Sequence, residues 1–559
     1  MLTLPCRTKT KICVKRRDTI WCLIEWMQWQ RWLGSNAARW LISVCLLPTS
    51  LAVGAAVKEP FESEVAPTPA GRIDELVFAR LQQRQIPPAH LCSDAVFLRR
   101  VYVDVIGTLP TPEEARNFLL DSHPDKRRTL IDRLLERDEF ADRWAMKWSD
   151  LLRIKAEFPI NLWPNAAQAY HHWLRDALRK NQRCDQFARD LLTASGSNFE
   201  NPPVNFYRAL QNKTPSGIAA AVALTFLGAR TDNWPSNDLA NLAVFFANVG
   251  YKSTGEWKEE IVFFNPAATN AGALAGSPRP ATFPDGRTVV LRPDQDPRVV
   301  FADWLTAPGN PWFARNLANR TWSWLLGRGI IEEPDDLRPD NPAANPELLA
   351  YLEKALVDSG YDGKQLFRLI LNSTTYQLSA VPANGNPASA ANFACYPLRR
   401  MEAEILADAL DQVTDSTEKY SSAIPEPYTF IPDDLRSIAL PDGSITSAFL
   451  EMFGRPPRDT GFESERNNRI TAAQKLWLLN SSQLLRKIEL SPLAAGVRGQ
   501  RSSAEAATQI YLAVLSRFPT PAELKIAQSA FDRPEARPHE AAVDLIWALM
   551  NTAEFLYHH

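Results

Sequence analysis

A group of charged side chains that could do chemistry lies between residues 455 and 466. Glu463 and Glu465 stand two positions apart, and Arg455, Arg458 and Arg466 flank them. Arginines bind anionic groups in bidentate geometry, and a carboxyl group beside them can serve as general acid or base. We therefore take the two glutamates as candidate catalytic residues and the three arginines as candidate ligand-binding residues. Because arginines lower the pKa of a neighbouring carboxyl group, the pattern favours a fixed lattice of ion pairs over catalysis.

A second acidic group occupies residues 332–340, with the sequence EEPDDLRPD. Carboxylate oxygens are the ligands that Ca²⁺ prefers, so Asp335, Asp336 and Asp340 are the candidate metal ligands. However, the spacing lacks the calcium-loop pattern and its glycine. The prolines predict a rigid loop that leads to a helix capped by Asn345. We therefore predict no bound metal.

Two tryptophans, Trp163 and Trp234, stand next to a proline in segments without helical periodicity. Exposed indole rings can stack on sugar rings, which makes Trp234 a further candidate ligand-binding residue. Trp144, Trp148 and Trp173 instead follow helical spacing, and we predict that they lie in the core.

Motifs for other chemistry are absent from the sequence. It contains no HExxH, GxSxG or P-loop motif and no CxxC pair. His171 and His172 are adjacent on a predicted helix and cannot share one face, so a core or solvated role is expected. His558 and His559 are predicted to form a frayed tail. No cofactor is predicted.

The composition sets the class of protein. The 559 residues are 45% hydrophobic and 23% charged, which is ordinary globular usage and excludes disorder and a multi-pass membrane protein. The formal net charge of −2 excludes a globally basic nucleic-acid binder. A chain of this length is expected to form two or more domains.

The first 56 residues resemble a targeting segment. A basic stretch precedes a short apolar run from Trp40, which Pro48 interrupts and small residues end at Ala56. This order predicts a signal peptide, with Met27 as an alternative start and an uncleaved signal anchor as the alternative interpretation. Beyond this segment no transmembrane span is predicted. We therefore expect export to the periplasm or the extracellular space, and few cysteines (Cys92, Cys184 and Cys395) remain after cleavage.

The periodicity along the rest of the chain predicts a mainly α-helical protein. Two helical domains, residues 72–254 and 298–557, follow a linker at residues 57–71. Residues 255–297 are rich in glycine, proline and alanine and are predicted to join the domains through a small β element. Strands are predicted at Glu260–Phe264 and Thr288–Leu291.

Residues 102–114 and 511–523 match one another in spacing. Each segment places a threonine before a proline and a glutamate three positions after that threonine. This is the pattern of a capping box with proline at the first helical position. Thr111 and Thr520 are the predicted N-caps, and a helix start used twice explains the match better than a ligand site.

Further motifs follow in a fixed order. They begin at Arg99, Asp142, Asn310, Thr375 and Phe453 and read RRVYVDVIGTLPTPEE, DRWAMKW, NPWFARNLANRTW, TYQL and FGRPPR. These motifs resemble the planctomycete cytochrome-associated secreted family, in which the domain of unknown function fifteen-forty-nine precedes fifteen-fifty-three. The resemblance covers about residues 72–557. It implies an architecture and a compartment rather than a reaction.

The sequence departs from the family pattern in two segments. Typical members are expected to carry a haem-type Cys-x-x-Cys-His between Phe-Leu-Gly and Trp, whereas only residues 229–233 lie between Gly228 and Trp234 here. Many relatives have cysteines where Phe462 and Ser464 stand. The resemblance therefore implies a branch without c-type haem. Our hypothesis is that the two segments form one site in relatives and lost their cysteines together.

The sequence predicts a secreted binding or scaffold protein of unknown biochemical activity, without enzymatic function and without c-type haem. A glycan or a companion secreted protein is the expected partner, and a nucleic acid is not. The alternative is a hydrolase that acts on an anionic polysaccharide through the Arg/Glu cluster at residues 455–466.

Overall fold

Helices dominate the chain because apolar residues recur at three- and four-residue steps and because Ser, Thr, Asp or Pro marks most helix starts. The computed structural model describes residues 60–559 except residues 64, 233, 269–277 and 534–536. The predicted signal segment at residues 1–56 lies outside the described residues. The predicted mainly α-helical fold is confirmed.

Ten helices and two short strands of the described residues come before the predicted junction at residues 255–297, and a third strand lies within it. The helices are α1 (Arg72–Gln83), α2 (Asp94–Ile106), α3 (Pro112–Leu120), α4 (Lys126–Leu135), α5 (Asp138–Leu151), α6 (Pro164–Arg179), α7 (Cys184–Thr193), α8 (Asn205–Arg208), α9 (Pro215–Val222) and α10 (Ser236–Ala243). The strands are β1 (Gly196–Ser197), β2 (Val249–Ser253) and β3 (Glu260–Phe264). A turn of π-helix over Ala223–Leu227 follows α9.

The remaining helices and strands begin with the hairpin of β4 (Arg279–Thr282) and β5 (Thr288–Leu291). The helices that follow are α11 (Pro297–Leu305), α12 (Phe313–Leu326), α13 (Pro346–Asp358), α14 (Gly363–Leu371), α15 (Ala388–Ala391), α16 (Ala403–Thr414), α17 (Ala448–Met452), α18 (Ala472–Asn480), α19 (Ser482–Leu490), α20 (Pro492–Gly496), α21 (Ser503–Leu515), α22 (Pro521–Phe531), α23 (Pro538–Met550) and α24 (Ala553–Leu556). Two further strands are β6 (Arg399–Arg400) and β7 (Tyr557–His558).

Both predicted capping boxes are confirmed. The Thr111 hydroxyl accepts from the backbone N–H of Glu114, whose carboxylate accepts in return from the backbone N–H of Thr111. Thr520 and Glu523 repeat this arrangement at the start of α22. Each helix start is therefore satisfied within its own segment, as expected of a structural motif.

The strands form small antiparallel sheets. β3 lies between β1 and β2, with Val262 opposite both Gly196 and Tyr251. β4 pairs with β5 around the Pro-Asp-Gly turn, and β6 pairs with β7. The two predicted strands are confirmed with their predicted bounds, and β4 is an addition that its Arg-Pro-Ala-Thr sequence does not signal.

One apolar core runs through both helical regions, from Ile73 in α1 to Leu512 in α21. Trp144 is fully buried in it, while Trp148 and Trp173 are half-buried against it. A second core packs α16 against the C-terminal helices. Residues Glu59–His559 accordingly form one compact unit.

The prediction of a frayed tail at His558 and His559 is wrong. β7 pairs with β6, so Arg399 lies opposite His558, and the His558 side chain is buried. The tail is ordered because an ion-pair network deep in the fold uses His558 as a hydrogen-bond donor. Sequence position alone does not signal such a contact.

None of the helices in the described part of the chain is both long enough and apolar enough to cross a lipid bilayer.

Candidate functional site

A cleft of about 330 Å³ opens where α5, α12 and β6 meet the segment around Glu463. We call it the charged cleft, because most of the side chains that line it are ionisable. These are Arg143, Lys147, Glu332, Glu333, Arg399, Arg400, Glu402, Glu463, Arg466 and His558. Trp324, Ser323, Ser464 and Asn468 complete the polar part of its wall.

One face of α5 supplies two of the cations. Arg143 and Lys147 are four residues apart and therefore lie on the same face of the helix. The ammonium of Lys147 donates to Glu463 at 2.8 Å and to Glu402 at 3.4 Å, and Arg143 also donates to Glu402. Arg143 and Lys147 are almost completely buried. The helix thus holds two carboxylates of the later part of the chain in fixed positions.

Below the cleft, the candidate arginines form a layer of ion pairs. Arg466 donates to Asp150 at 2.6 Å and to both carboxylate oxygens of Glu404, at 2.6 Å and 3.1 Å. Arg458 donates to the same Asp150 at 2.9 Å, and the guanidinium of Arg455 lies 3.6 Å from Glu404. Among these arginines only Arg466 lines the charged cleft.

The two candidate glutamates have different surroundings. Glu463 lies in the cleft, where the indole N–H of Trp324 donates to it at 3.1 Å. Glu465 does not line the cleft. It accepts instead from the backbone N–H and the hydroxyl of Thr460, at 2.7 Å and 2.6 Å. The structure therefore brings Arg466 and Glu463 together and leaves Glu465 in a neighbouring turn.

The three candidate metal ligands are all engaged by protein groups. Asp335 is fully buried, pairs with Arg320 at 2.9 Å and accepts from the backbone N–H of Glu463 at 2.7 Å. Asp336 and Asp340 flank Arg338, at 2.7 Å and 3.3 Å. Within the described ranges, no three His, Cys, Asp or Glu side chains converge in a metal-binding arrangement.

Asp104 is a buried acidic residue whose importance the sequence did not show. It lies in α2 and accepts from Arg399 at 2.7 Å, from the hydroxyls of Tyr376 and Tyr396 at 2.8 Å and 2.9 Å, and from His558 at 3.0 Å. This network joins α2 to the wall of the cleft. The available signal was one acidic residue inside the apolar run VYVDVI.

Neighbouring cations lower the pKa of two carboxyl groups in the charged cleft. Burial alone would raise the pKa of Glu463, but the attraction of Lys147 and then of Arg320 outweighs burial, and the pKa falls to about 2. Burial also opposes ionisation of Glu402, yet Arg143, Lys147 and Arg466 hold its pKa well below the ordinary value. Burial instead raises the pKa of Glu332 above the ordinary value despite the nearby Arg328, and it also raises the pKa of Glu465 in the neighbouring turn.

The depressed pKa values predict a loss of stability in acid. The pKa of Asp104 also falls to about 2, because Arg399 and His558 outweigh burial. A folded-state pKa below the unfolded value contributes stability that is lost as the pH falls from about 4.5 to about 2. Asp408 opposes this trend, because burial raises its pKa to about 6. The stability that protonated Asp408 contributes is lost as the pH rises through that value.

We expect the free energy of unfolding in urea to fall steeply below pH 4.5. Glu463→Gln should reduce the slope of the free energy of unfolding against pH. A free energy that stays constant from pH 4.5 to 2.5 would contradict the low pKa values of Glu463 and Asp104.

Residues 229–233 and residues 462–466, which we hypothesised to form one site in relatives, are in contact. The guanidinium carbon of Arg230 lies 4.9 Å from the centre of the Phe462 ring. Arg230 also pairs with Glu333 at 2.7 Å, and Ala229 forms a β-bridge with Asp336. The hypothesis of one shared site requires this proximity.

The other predicted residues lie elsewhere. Trp234 lines a second cleft, described below. Trp163 packs edge-on against Tyr428 and Trp257 at the surface. His171 is buried and His172 is exposed. All three cysteines in the described part of the chain are free thiols.

The fold and the cleft define a mainly α-helical protein in which helices from the first half and segments from the second half build one charged site. Residues 72–250 match a family model described as a protein of unknown function (DUF1549), and residues 297–531 match one described as a protein of unknown function (DUF1553). The chain belongs to the family in which these two domains follow one another, and the planctomycete cytochrome-associated family name fits this order. Neither a curated protein nor a solved structure matches the chain.

Proposed function

We propose that the chain is an exported, non-enzymatic binding or scaffold protein whose ligand occupies the charged cleft. Glu463 and Glu402 support this proposal, because buried cations hold both side chains in place and keep them ionised. A carboxylate with a pKa near 2 does not donate a proton near neutral pH, but it remains a strong hydrogen-bond acceptor. The cleft is therefore better suited to bind than to catalyse.

The exposed atoms of the cleft indicate the chemistry of the ligand. The Glu463 side chain is 32% exposed and that of Glu333 is 55% exposed, whereas Lys147 and Arg466 are exposed by only 3% and 4%. A ligand thus meets more carboxylate than guanidinium. This favours a ligand with hydroxyl or amine donors, such as a glycan, over an anionic one. A basic segment of a companion secreted protein offers similar donors.

Export and the loss of haem are part of the same proposal. The basic segment and apolar run before residue 57 support export to the periplasm or the extracellular space. Covalent haem needs two thiols and an axial ligand. The segments at residues 229–233 and 462–466 offer neither thiol nor imidazole, so c-type haem does not fit there. We therefore place the chain in a haem-less branch of a cytochrome-associated family.

Native mass spectrometry tests this proposal. Protein from the exported fraction of its host is sprayed alone and with a hexamer of glucosamine, which carries amine and hydroxyl donors. We expect a chain that begins near Val57 and a non-covalent hexamer adduct, which Glu463→Gln weakens by about tenfold through loss of a charged acceptor. Glu113→Gln, an exposed exchange on α3, should leave the adduct unchanged. Absence of the adduct, or a covalent haem mass, would overturn the proposal.

A hydrolase is the second candidate, because one cleft holds two glutamates with opposite pKa shifts. Burial raises the pKa of Glu332 while Lys147 lowers that of Glu463, and such a divergence is the pattern of an acid and base pair. The same spectra decide between the two functions, with a sulfated hexasaccharide added as the anionic substrate. Products shorter than six sugars, abolished by Glu332→Gln, would replace the binding proposal by hydrolysis. Hexasaccharides that stay intact after prolonged incubation would contradict the hydrolase proposal.

A further inference from the structure

A second cleft, of about 410 Å³, lies on the other side of the acidic loop at residues 332–340. We call it the tryptophan cleft. Trp234 and Trp312 contribute two indole rings, and the hairpin of β4 and β5 contributes Phe283. Its volume falls within the range of roughly 300–1,000 Å³ that is typical of small-molecule sites. Residues 332–334 line the charged cleft and residues 337–340 line this one, so the loop separates two distinct cavities.

The aromatic rings of the tryptophan cleft differ in how they are held. Phe283 stacks on Phe245 at 4.8 Å and on Trp304 at 5.1 Å, so its neighbours already use its faces. Trp234 and Trp312 are half-buried against the core. In the described part of the chain, neither indole stacks on another ring and neither indole N–H has a hydrogen-bond acceptor. Both indole rings line the cavity, so each can offer apolar surface to a ligand bound there.

Polar groups stand beside these rings. Asp238 and Asn241 lie three residues apart on α10, so they point to the same side of the helix and both line the cleft. Neither has a side-chain partner within the described ranges. Arg338 is different, because Asp336 and Asp340 neutralise it. The cleft thus offers a carboxylate and an amide that have no side-chain partner among the described residues.

We propose that the tryptophan cleft binds a neutral pyranose unit of a glycan. A pyranose has one apolar face that packs on an indole ring, and its hydroxyl groups hydrogen-bond to Asp and Asn side chains. The charges that line the tryptophan cleft favour a neutral sugar. Asp238 and Asp340 outnumber the single Arg338, so a sulfate or carboxylate group on the ligand would be repelled. This site goes beyond the proposed function, because it shares no lining residue with the charged cleft.

Isothermal titration of the full chain tests the site with four neutral probes, namely the hexasaccharides of cellulose, xylan, mannan and laminarin, and with a heparin hexasaccharide. We expect one or more neutral probes to bind and heparin not to bind. Trp234→Ala and Trp312→Ala should each weaken binding by about tenfold, because each removes a stacking face. Asp238→Asn, an exposed exchange that leaves the rings in place, should weaken it by about threefold.

Two controls keep this result separate from the charged cleft. Trp257→Ala removes a surface tryptophan that is 70% exposed and lies outside both clefts, and it should leave binding unchanged. Glu463→Gln removes a binding residue of the charged cleft only, so adding Trp234→Ala to it should still weaken the remaining binding by about tenfold. Failure of all four neutral probes would overturn the inference. It would also be overturned if Glu463→Gln abolished binding while Trp234→Ala and Asp238→Asn had no effect, a result that would instead support the charged cleft as the sugar site.

Discussion

Replacing Arg466 by methionine lowers the free energy of unfolding by about 3–5 kcal/mol, because it leaves buried carboxylates without their cation. Arg466 bridges Asp150 on α5 and Glu404 on α16. Glu404 is completely buried, and burial opposes its ionisation until Arg466 compensates and lowers its pKa. Methionine preserves most of the side-chain volume, so the loss reports charge rather than packing. Urea unfolding at pH 7, followed by far-ultraviolet circular dichroism, measures it.

An exposed arginine provides the matched control. Arg72 pairs with Glu75 three residues along α1, and both side chains are more than half exposed. Arg72→Met should therefore change the free energy of unfolding by less than about 0.5 kcal/mol. Adding Glu404→Gln to Arg466→Met should recover part of the loss, because it removes the orphaned charge. Equal effects of Arg466→Met and Arg72→Met would show that the layer of ion pairs below the cleft does not stabilise the fold.

Local sequence signals were sufficient for much of the fold. The capping boxes at Thr111 and Thr520 could be predicted because every group they use lies within four residues. The strands at Glu260–Phe264 and Thr288–Leu291 could be predicted because β-branched or aromatic residues are concentrated in both, and a Pro-Asp-Gly turn comes before the second. Such features depend on the neighbouring residues alone, so one sequence is enough to show them.

The charged cleft could be predicted only in part, because its contacts join residues that are far apart in the chain. The cluster at residues 455–466 was visible as a group of charges, but its partners Lys147, Asp150 and Glu404 lie in helices whose sequences look like ordinary amphipathic helices. Which carboxylate meets which cation depends on how α5 packs against later segments. Periodicity shows the buried face of a helix and does not show what lies opposite to it.

The contact between Arg230 and Phe462 joins two segments that are far apart in the chain. Residues 229–233 and 462–466 meet beside the charged cleft, where Arg230 lies over the Phe462 ring and pairs with Glu333. A cation on an aromatic ring is a stabilising contact that needs neither metal nor haem. Packing and an ion pair therefore hold residues 229–233 and 462–466 together in this chain.

Replacing Asp104 by asparagine removes the one charge on which four donors converge, and we expect a loss of about 3 kcal/mol in the free energy of unfolding at pH 7. Arg399 loses the only carboxylate that it contacts in the described part of the chain, and His558 keeps at most a neutral amide oxygen as its acceptor. β7 should then separate from β6, which would loosen the C-terminal residues beside the charged cleft. Amide hydrogen exchange of residues 557–559 measures this second effect.

The pH dependence of the Asp104→Asn effect distinguishes charge from shape. Because the folded-state pKa of Asp104 is about 2, the wild-type protein keeps this contribution above the unfolded value and loses it as the pH falls towards 2. The difference between wild type and Asp104→Asn should therefore shrink steadily from pH 4 to pH 2. The exchange Asp358→Asn, at a largely exposed pair with Lys354, should alter stability by less than about 0.5 kcal/mol at every pH. An Asp104→Asn difference that stays constant down to pH 2 would mean that the position requires the shape of the side chain and not its charge, and the network around His558 would then be a packing feature rather than an ionic one.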